Sequence, residues 1–591
     1  MTAFLLNFDQ HMKRYVFLIL PFLILASAHL AWAQATDAQG RSRVLVVMQA
    51  QADLSDLDHM PSKTAKGEMV YARLRLTADA TQTDVLHLLH QWQAPYQQFW
   101  IANAVQTWLT PEQMDVIRTM PAVKWVTHDH EGLRVAQYQE ELAVSVPNTL
   151  EWGITKTKAD QVWNLGYKGQ NVVVAGADTG YQWDHPALKS RYRGWDGTNA
   201  THAYNWFDAI KQNSPLNTTG TNPCGLDLKA PCDDNKHGTH TMGTMVGLDG
   251  VNQIGMAPEA KWMACRNMER GWGAPSTYLG CLQFFLAPTD LDGANADPSK
   301  APDVINNSYY CAPEEGCTTL ADLEPMERTV NNLKQAGIVM VVSAGNEGTA
   351  CNTIQYGPAI FENSFSVGST DSADMASSFS SRGAVTVDGS NRMKPNVAAP
   401  GSSVRSAVYG SGYGTLSGTS MAGPHVAGLV ALVISANPKL RGNVTGITTL
   451  IQQTATVLTS TQTCSGVSGS AVPNPIFGYG RIDALAAVNQ AISTANEPDP
   501  EIPEDVVLTP AYPNPFNPQT RFTITVAKPQ HVQVDVFDML GRKIQTLWNG
   551  AMTAQETRVL LLSADGLSSG TYVIRAIGQN LMRSMQVTVA K

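Results

Sequence analysis

Four short segments set residues of acid, base, nucleophile and amide type where backbone geometry would expose them. Val172-Val173-Val174-Ala175-Gly176-Ala177 is a β-branched run ending in Asp178-Thr179-Gly180. That pattern predicts a carboxylate at the carboxyl end of a buried strand, where open α/β sheets build their sites. His237-Gly238-Thr239-His240 opens a run of small residues suited to a helix packed closely on a sheet. Its two histidines are three apart, whereas a metal pair on one helix face prefers four. Leu416-Ser417-Gly418-Thr419-Ser420-Met421-Ala422 leads toward the apolar run 429–434, which puts Ser420 at a helix N-terminus, where free amides and the helix dipole favour negative charge. Ser343-Ala344-Gly345-Asn346-Glu347-Gly348 follows a strand-like run and presents Asn346, an amide able to donate to an oxyanion. Each residue also has an ordinary structural alternative: a turn or cap for Asp178, an N-cap for Ser420, a turn for Asn346. Together they are the parts needed for nucleophilic acyl transfer.

Other chemistries fit less well. An aspartic-protease reading of Asp178-Thr179-Gly180 needs a second carboxylate motif, and no second Asp-Thr-Gly or Asp-Ser-Gly occurs. A zinc site would show CxxC or HExxH spacing, and the sequence has neither. The metal set is therefore left unassigned, and no cofactor is expected for catalysis. Net charge is −9 over 591 residues, which offers no basic footprint for nucleic acid.

The elements that must position these residues span about 151–494. Strand candidates at 171–177, 262–265, 304–308, 338–344 and 364–367 alternate with helix-length segments. This predicts an α/β domain whose parallel sheet is covered by helices on both faces. All eight cysteines fall between 224 and 464. An even count in an exported chain favours four disulfides, and the short loops suggest Cys224 with Cys232 and Cys311 with Cys317.

Around this domain the chain divides further. Residues 1–33 read as a signal peptide, with Lys13-Arg14, an apolar run and Ala31-Trp32-Ala33. No later segment is long and apolar enough to suggest a membrane anchor in the mature chain. Residues 41–130 form a small α+β domain, with strands expected at 42–48, 70–76 and 123–126 and an amphipathic stretch at 81–92. Thr110-Pro111-Glu112-Gln113 reads as a capped helix start. Residues 131–150 are polar and patternless, as a processing linker would be. An acidic, proline-rich linker covers 495–505, and residues 506–591 alternate like a small β-sandwich. That tail carries eight Lys and Arg against four Asp and Glu, net +4.

The Asp-Thr-Gly, His-Gly-Thr-His, Ala-Gly-Asn-Glu-Gly and Gly-Thr-Ser-Met-Ala segments, in that order, resemble the subtilisin-like serine peptidases. The flanking Asp184-His185-Pro186, Tyr204-Asn205-Trp206 and Val304-Ile305-Asn306-Asn307-Ser308 look most like the bacillopeptidase F branch. Asp, His, Ser is the subtilisin order, unlike the chymotrypsin or α/β-hydrolase orders. The resemblance implies a secreted endopeptidase with Asp178, His237 and Ser420 as its triad and an oxyanion site at Asn346 and the Ser420 amide. It also implies that Ser308, Tyr309, Tyr310, Ser343, Ala344 and Gly345 line the substrate cleft. Glycine is usual where Tyr310 stands, so the shape of that wall is not given by the resemblance. Structural calcium is common in the family, but residues 248–254 match the relevant loop only loosely and no site is assigned.

Residues 41–130 resemble the family's inhibitory propeptide, an intramolecular partner cut away within 131–151. Tyr512-Pro513-Asn514-Pro515-Phe516, Phe537-Asp538-Met539-Leu540-Gly541-Arg542 and Gly570-Thr571-Tyr572-Val573 resemble the C-terminal sorting domain of type IX secretion. This implies that machinery as a partner and a secreted or cell-surface location. A catalytically inactive subtilisin-fold protein used for binding or adhesion is the competing reading.

Overall fold

Seven strands, most of them β-branched, line up in parallel as the central sheet: β1 (Val173–Asp178), β2 (Trp206–Asp208), β3 (Lys261–Arg266), β4 (Val304–Asn307), β5 (Val339–Ser343), β6 (Phe365–Thr370) and β7 (Val397–Pro400), in the spatial order β7-β6-β5-β4-β1-β3-β2. The computed structural model describes residues 37–591 apart from 38, 58, 59, 61, 130–132, 136, 137, 142–149, 312–316, 318, 496–505, 527, 540, 555 and 579–581. The expected signal peptide and nearly all of the acidic proline-rich linker lie outside the described residues.

Side chains alternate across the sheet as period-2 strands require. Val174, Val339 and Val341 join one buried cluster with helices α1 (His237–Val246) and α4 (Thr419–Ala436). Ala175, Met340 and Val342 join another with α2 (Pro275–Leu286) and α3 (Leu320–Gln335). Helices thus cover both faces, as the alternation of strand and helix predicted. Among the described residues, α4 alone has the length and apolarity to cross a membrane, and it is a buried core helix here.

Four disulfides brace this domain: Cys224–Cys232, Cys265–Cys281, Cys311–Cys317 and Cys351–Cys464. Both short-loop pairs are among them.

Residues 42–128 form an antiparallel four-stranded sheet ordered Tyr96–Phe99, Ala104–Leu109, Ser42–Met48, Val123–His128, with three helices. The capped helix start is realised: Thr110 Oγ1 accepts from Gln113 and the Gln113 side chain accepts from the Thr110 N–H. The strand expected at 70–76 is instead part of the helix Lys63–Thr81. Its buried residues Gly67, Val70, Leu74 and Ala78 recur every three or four positions, and the apolar stripe of a helix overrode the local alternation of Ala72, Leu74 and Leu76 with Arg73 and Arg75. That stripe closes on the central domain, since Val70, Leu74 and Ala78 share a cluster with Leu279, Phe285 and Leu333.

Residues 495–591 form a separate unit. A three-stranded and a four-stranded antiparallel sheet enclose their own core, with Phe522, Ile524 and Leu562 meeting Val534, Ile574 and Val587.

Candidate active site

Asp178 ends β1, His237 begins α1 and Ser420 is the second residue of α4. Three distant stretches of sequence therefore meet at the carboxyl edge of the central strands. Asp178 Oδ1 lies 2.8 Å from His237 Nδ1, with both side chains buried, and accepts from the Thr179 N–H at 2.7 Å. This fixes the imidazole's orientation and leaves Nε2 facing away from the carboxylate. Among the described residues His237 Nε2 has no hydrogen-bond partner, and Ser420 Oγ donates instead to the Ser308 carbonyl at 3.4 Å. A bond between His237 and Ser420 is thus not made in this state; the bond of a general base to its nucleophile often tightens only with substrate in place.

Gly238 explains how the helix approaches so closely. A Cβ there would come within 2.1 Å of the Gly180 carbonyl oxygen. What the position needs is the room made by its missing side chain.

Asn346 is tied down through its oxygen, which accepts from the Thr419 N–H at 2.9 Å and from Thr419 Oγ1 at 2.8 Å. Its Nδ2 is left beside Gly418, 3.3 Å from where a Cβ would stand. An amide donor and the amino end of α4 therefore flank one point next to Ser420, the arrangement that stabilises a developing oxyanion.

The polar stretch 131–150 is not patternless. Leu133–Val135 is the middle strand of an antiparallel sheet between Trp272–Gly273 and Tyr309–Cys311. Gln139–Glu141 adds to the sheet formed by Val404–Val408 and Gly412–Ser417, the strand that leads into α4. Backbone pairing with an edge is indifferent to side-chain polarity, so alternation could not reveal these strands. Between them the Tyr138 ring lies 5.2 Å from that of His237. The linker is thus held on both sides of the site.

Residues 169–480 match the subtilase family, and residues 510–589 match the secretion system C-terminal sorting domain. The chain belongs to the subtilase family. It is similar to Bacillopeptidase F of Bacillus subtilis (strain 168), 32% identical over 449 residues, which are 72% of this chain and 29% of that protein. With subtilisin E of the same organism it shares 30% identity over 345 residues, 58% of this chain and 73% of that protein. The chain thus spans less than a third of Bacillopeptidase F and about three quarters of subtilisin E. Among solved structures, an epidermin leader peptide processing serine protease from Staphylococcus aureus shares the fold at 17% identity, with a TM-score of 0.54 over 76% of this chain and 99% of that one.

In this subtilase the expected cleft residues divide into two groups. Tyr309 and Tyr310 pair with Val135 and Arg134 of the linker, and Ser308 exchanges hydrogen bonds with Ser420. Ser343 ends β5, and Ala344 and Gly345 follow it in the turn to Asn346. Among the described residues of the linker, none bonds to these three.

Asp233 escaped the sequence reading. It is buried and accepts from Thr179 Oγ1 at 2.9 Å, from the Thr239 N–H at 2.9 Å and Oγ1 at 2.5 Å, and from the N–H groups of Asn235 and Lys236. One carboxylate thereby clamps the turn after Asp178 to the first turn of α1 and holds Lys236 in a left-handed conformation at φ 81° just before His237. Next to it, Asp234 is paired with the buried Arg266 at the end of β3. The only signal in the sequence was an Asp-Asp pair four and three residues ahead of the histidine.

His240 is not half of a metal pair. Its Nε2 faces the carbonyls of Val404 and Gly414 at 3.0 and 3.2 Å, and burial, helped by the nearby His237, pulls its pKa down to about 3. Among the described residues no group of three or more His, Cys, Asp or Glu is arranged to hold a metal ion. The loop weighed for calcium offers one carboxylate, Asp249, already engaged by Asn252 and Tyr413. Calcium takes six to eight oxygens, and these side chains do not fit it.

Proposed function

We propose that the chain is the zymogen of a secreted serine endopeptidase whose first substrate is its own linker. His237 Nε2 takes the proton of Ser420 Oγ as that oxygen attacks a peptide carbonyl, while Asp178 stabilises the imidazolium at Nδ1. The tetrahedral oxyanion is met by Asn346 Nδ2 and the Ser420 N–H. Collapse breaks the C–N bond, and His237 returns the proton to the departing amine. Water then hydrolyses the acyl-enzyme by the same steps, releasing the carboxylate product and restoring Ser420.

The observation that carries this reading is the linker's pairing on both sides of Ser420, with Val135 opposite Tyr309 and Gln139 opposite Ser417. A substrate strand held this way presents the backbone between its anchors to the nucleophile. The bond cut therefore lies between Val135 and Gln139. Residues 41–130 act as the inhibitory propeptide, docked by the apolar stripe of Lys63–Thr81, and leave after cleavage. The sorting domain takes the protein through type IX secretion to the medium or the cell surface, where extracellular proteins are the substrates.

Expression of the full chain tests this directly. The expected result is a new N-terminus within 136–139, labelling of Ser420 by a fluorophosphonate, and hydrolysis of casein, all lost in Ser420→Ala. Labelling or processing that survives the substitution overturns the assignment. An intact, unlabelled wild-type chain favours the inactive binding protein.

A further inference from the structure

Arg134 stands directly opposite Tyr310 in one strand pair and directly opposite Trp272 in the other. Residues paired across strands share a face of the sheet, so Trp272, Arg134 and Tyr310 form one row. The Arg134 guanidinium carbon is 5.9 Å from the centre of the Trp272 ring and 5.6 Å from that of Tyr310, within the range of cation–π attraction. Arg134 Nη2 also donates to the Tyr310 hydroxyl at 3.2 Å.

Tyr310 is itself held firmly. Its ring stacks on Tyr356 at 5.3 Å and 20°, it is 3% exposed, and burial, together with the nearby Glu347 carboxylate, pushes the pKa of its hydroxyl up. Glu347 brings negative charge to the same spot, one residue beyond Asn346. Trp272, Tyr310, Glu347 and Tyr356 all belong to the peptidase domain, so they stay behind when the linker leaves.

We propose that Trp272, Tyr310 and Glu347 form a subsite for a basic side chain, arginine above all, on the amino side of the bond cut. The proposal rests on the linker being read as a substrate. A flat guanidinium can lie against both rings and donate to the tyrosine together, which a lysine ammonium does less well. A carboxylate at that position would meet two aromatic faces and Glu347. The protein substrates selected are those carrying arginine in an extended segment shortly before the scissile bond.

Processed enzyme obtained from the full chain is assayed on quenched fluorescent peptides spanning residues 131–142, with Arg, Lys, Ala or Glu at position 134. We expect kcat/KM to fall in that order, with Arg over Ala by about tenfold or more. Trp272→Leu and Tyr310→Leu should each shrink the Arg-to-Ala ratio to within about threefold. Equal rates for Arg and Ala peptides, in an enzyme that labels with fluorophosphonate, overturn the subsite and leave the proposed function standing. A wild-type protein that does not label overturns the proposed function instead, and the subsite is then read in the full-length Ser420→Ala chain. There trypsin should cut after Arg134 about tenfold faster once Trp272→Leu is added, while its cuts elsewhere in residues 41–128 keep their rates. An unchanged rate at Arg134 overturns the subsite.

Discussion

Asn346 shows how much one side chain can carry. Its oxygen is used up by Thr419, so its Nδ2 is aimed without freedom to flip, and a preorganised donor costs no reorganisation when the oxyanion forms. Removing one such donor typically costs about 3 to 4 kcal/mol of barrier. Asn346→Ala should therefore lower kcat on the linker peptide about 100- to 1000-fold while KM changes less than about threefold, read by steady-state kinetics. A rise in KM with kcat intact would make Asn346 a substrate-binding residue instead. Asp178, His237, Asn346 and Ser420 stood out as candidates in the sequence because each lies in a short motif whose glycines and small residues advertise the backbone around it. Asp233 was not legible. Its partners Thr179 and Thr239 lie 54 and 6 residues away, and only folding brings the first of them within reach.

Helices α1 and α4 each bury a histidine that is kept neutral. Burial pulls His240 down to about 3 and His425 down to about 4, and one ring nitrogen of each, Nε2 of His240 and Nδ1 of His425, faces a backbone carbonyl. Both folded values lie below the ordinary 6.5, so in the acid range the unfolded chain binds protons that the native state refuses. Stability is therefore fully present above pH 6.5 and is lost as pH falls toward 4 and then 3, at up to about 1.4 kcal/mol per pH unit for each imidazole. The thermal midpoint of the Ser420→Ala chain should drop between pH 7 and pH 4, and His425→Asn should flatten that drop. An unchanged slope would remove His425 from the account. Element type was readable where one period dominated, as at Ser42–Met48 or in the capped helix Pro111–Arg118. It misled at residues 70–76, where apolar residues alternating with Arg73 and Arg75 coexist with a helical stripe. At 133–135 and 139–141 it was silent, since backbone pairing with a neighbouring edge made the strands.

The molecule is built from two units, residues 1–494 and 495–591, each with its own core. A domain with a complete core of its own folds without its neighbour. A chain ending at residue 494 should thus process itself and label with fluorophosphonate at the full-length rate, within about twofold, while losing export. Loss of processing in that truncated chain would show that the tail contributes to folding the peptidase domain. The amino-terminal domain is tied in quite differently. It shares an apolar cluster with α2 and α3, adds an ion pair from Lys124 to Glu324, and sends its linker across the site.

What the sequence by itself determined is which side chains stand at these points and their order along the chain: carboxylate, imidazole, amide and hydroxyl, each set by a strand end or helix start whose pattern spans a dozen residues or fewer. It also determined the class of the central domain and the two short-loop disulfides, because alternation and short spacing are local properties. Tertiary structure alone decided what those groups face. The Asp178 to His237 bond, the carboxylate of Asp233 bridging two motifs, the Cys351–Cys464 pairing across 113 residues and the Trp272, Arg134, Tyr310 row all join parts of the chain that share no local pattern. Tyr310 is the clearest instance: in sequence it stood only as an unexpected bulky residue, and the fold supplied Arg134 across the strand and Tyr356 beneath its ring.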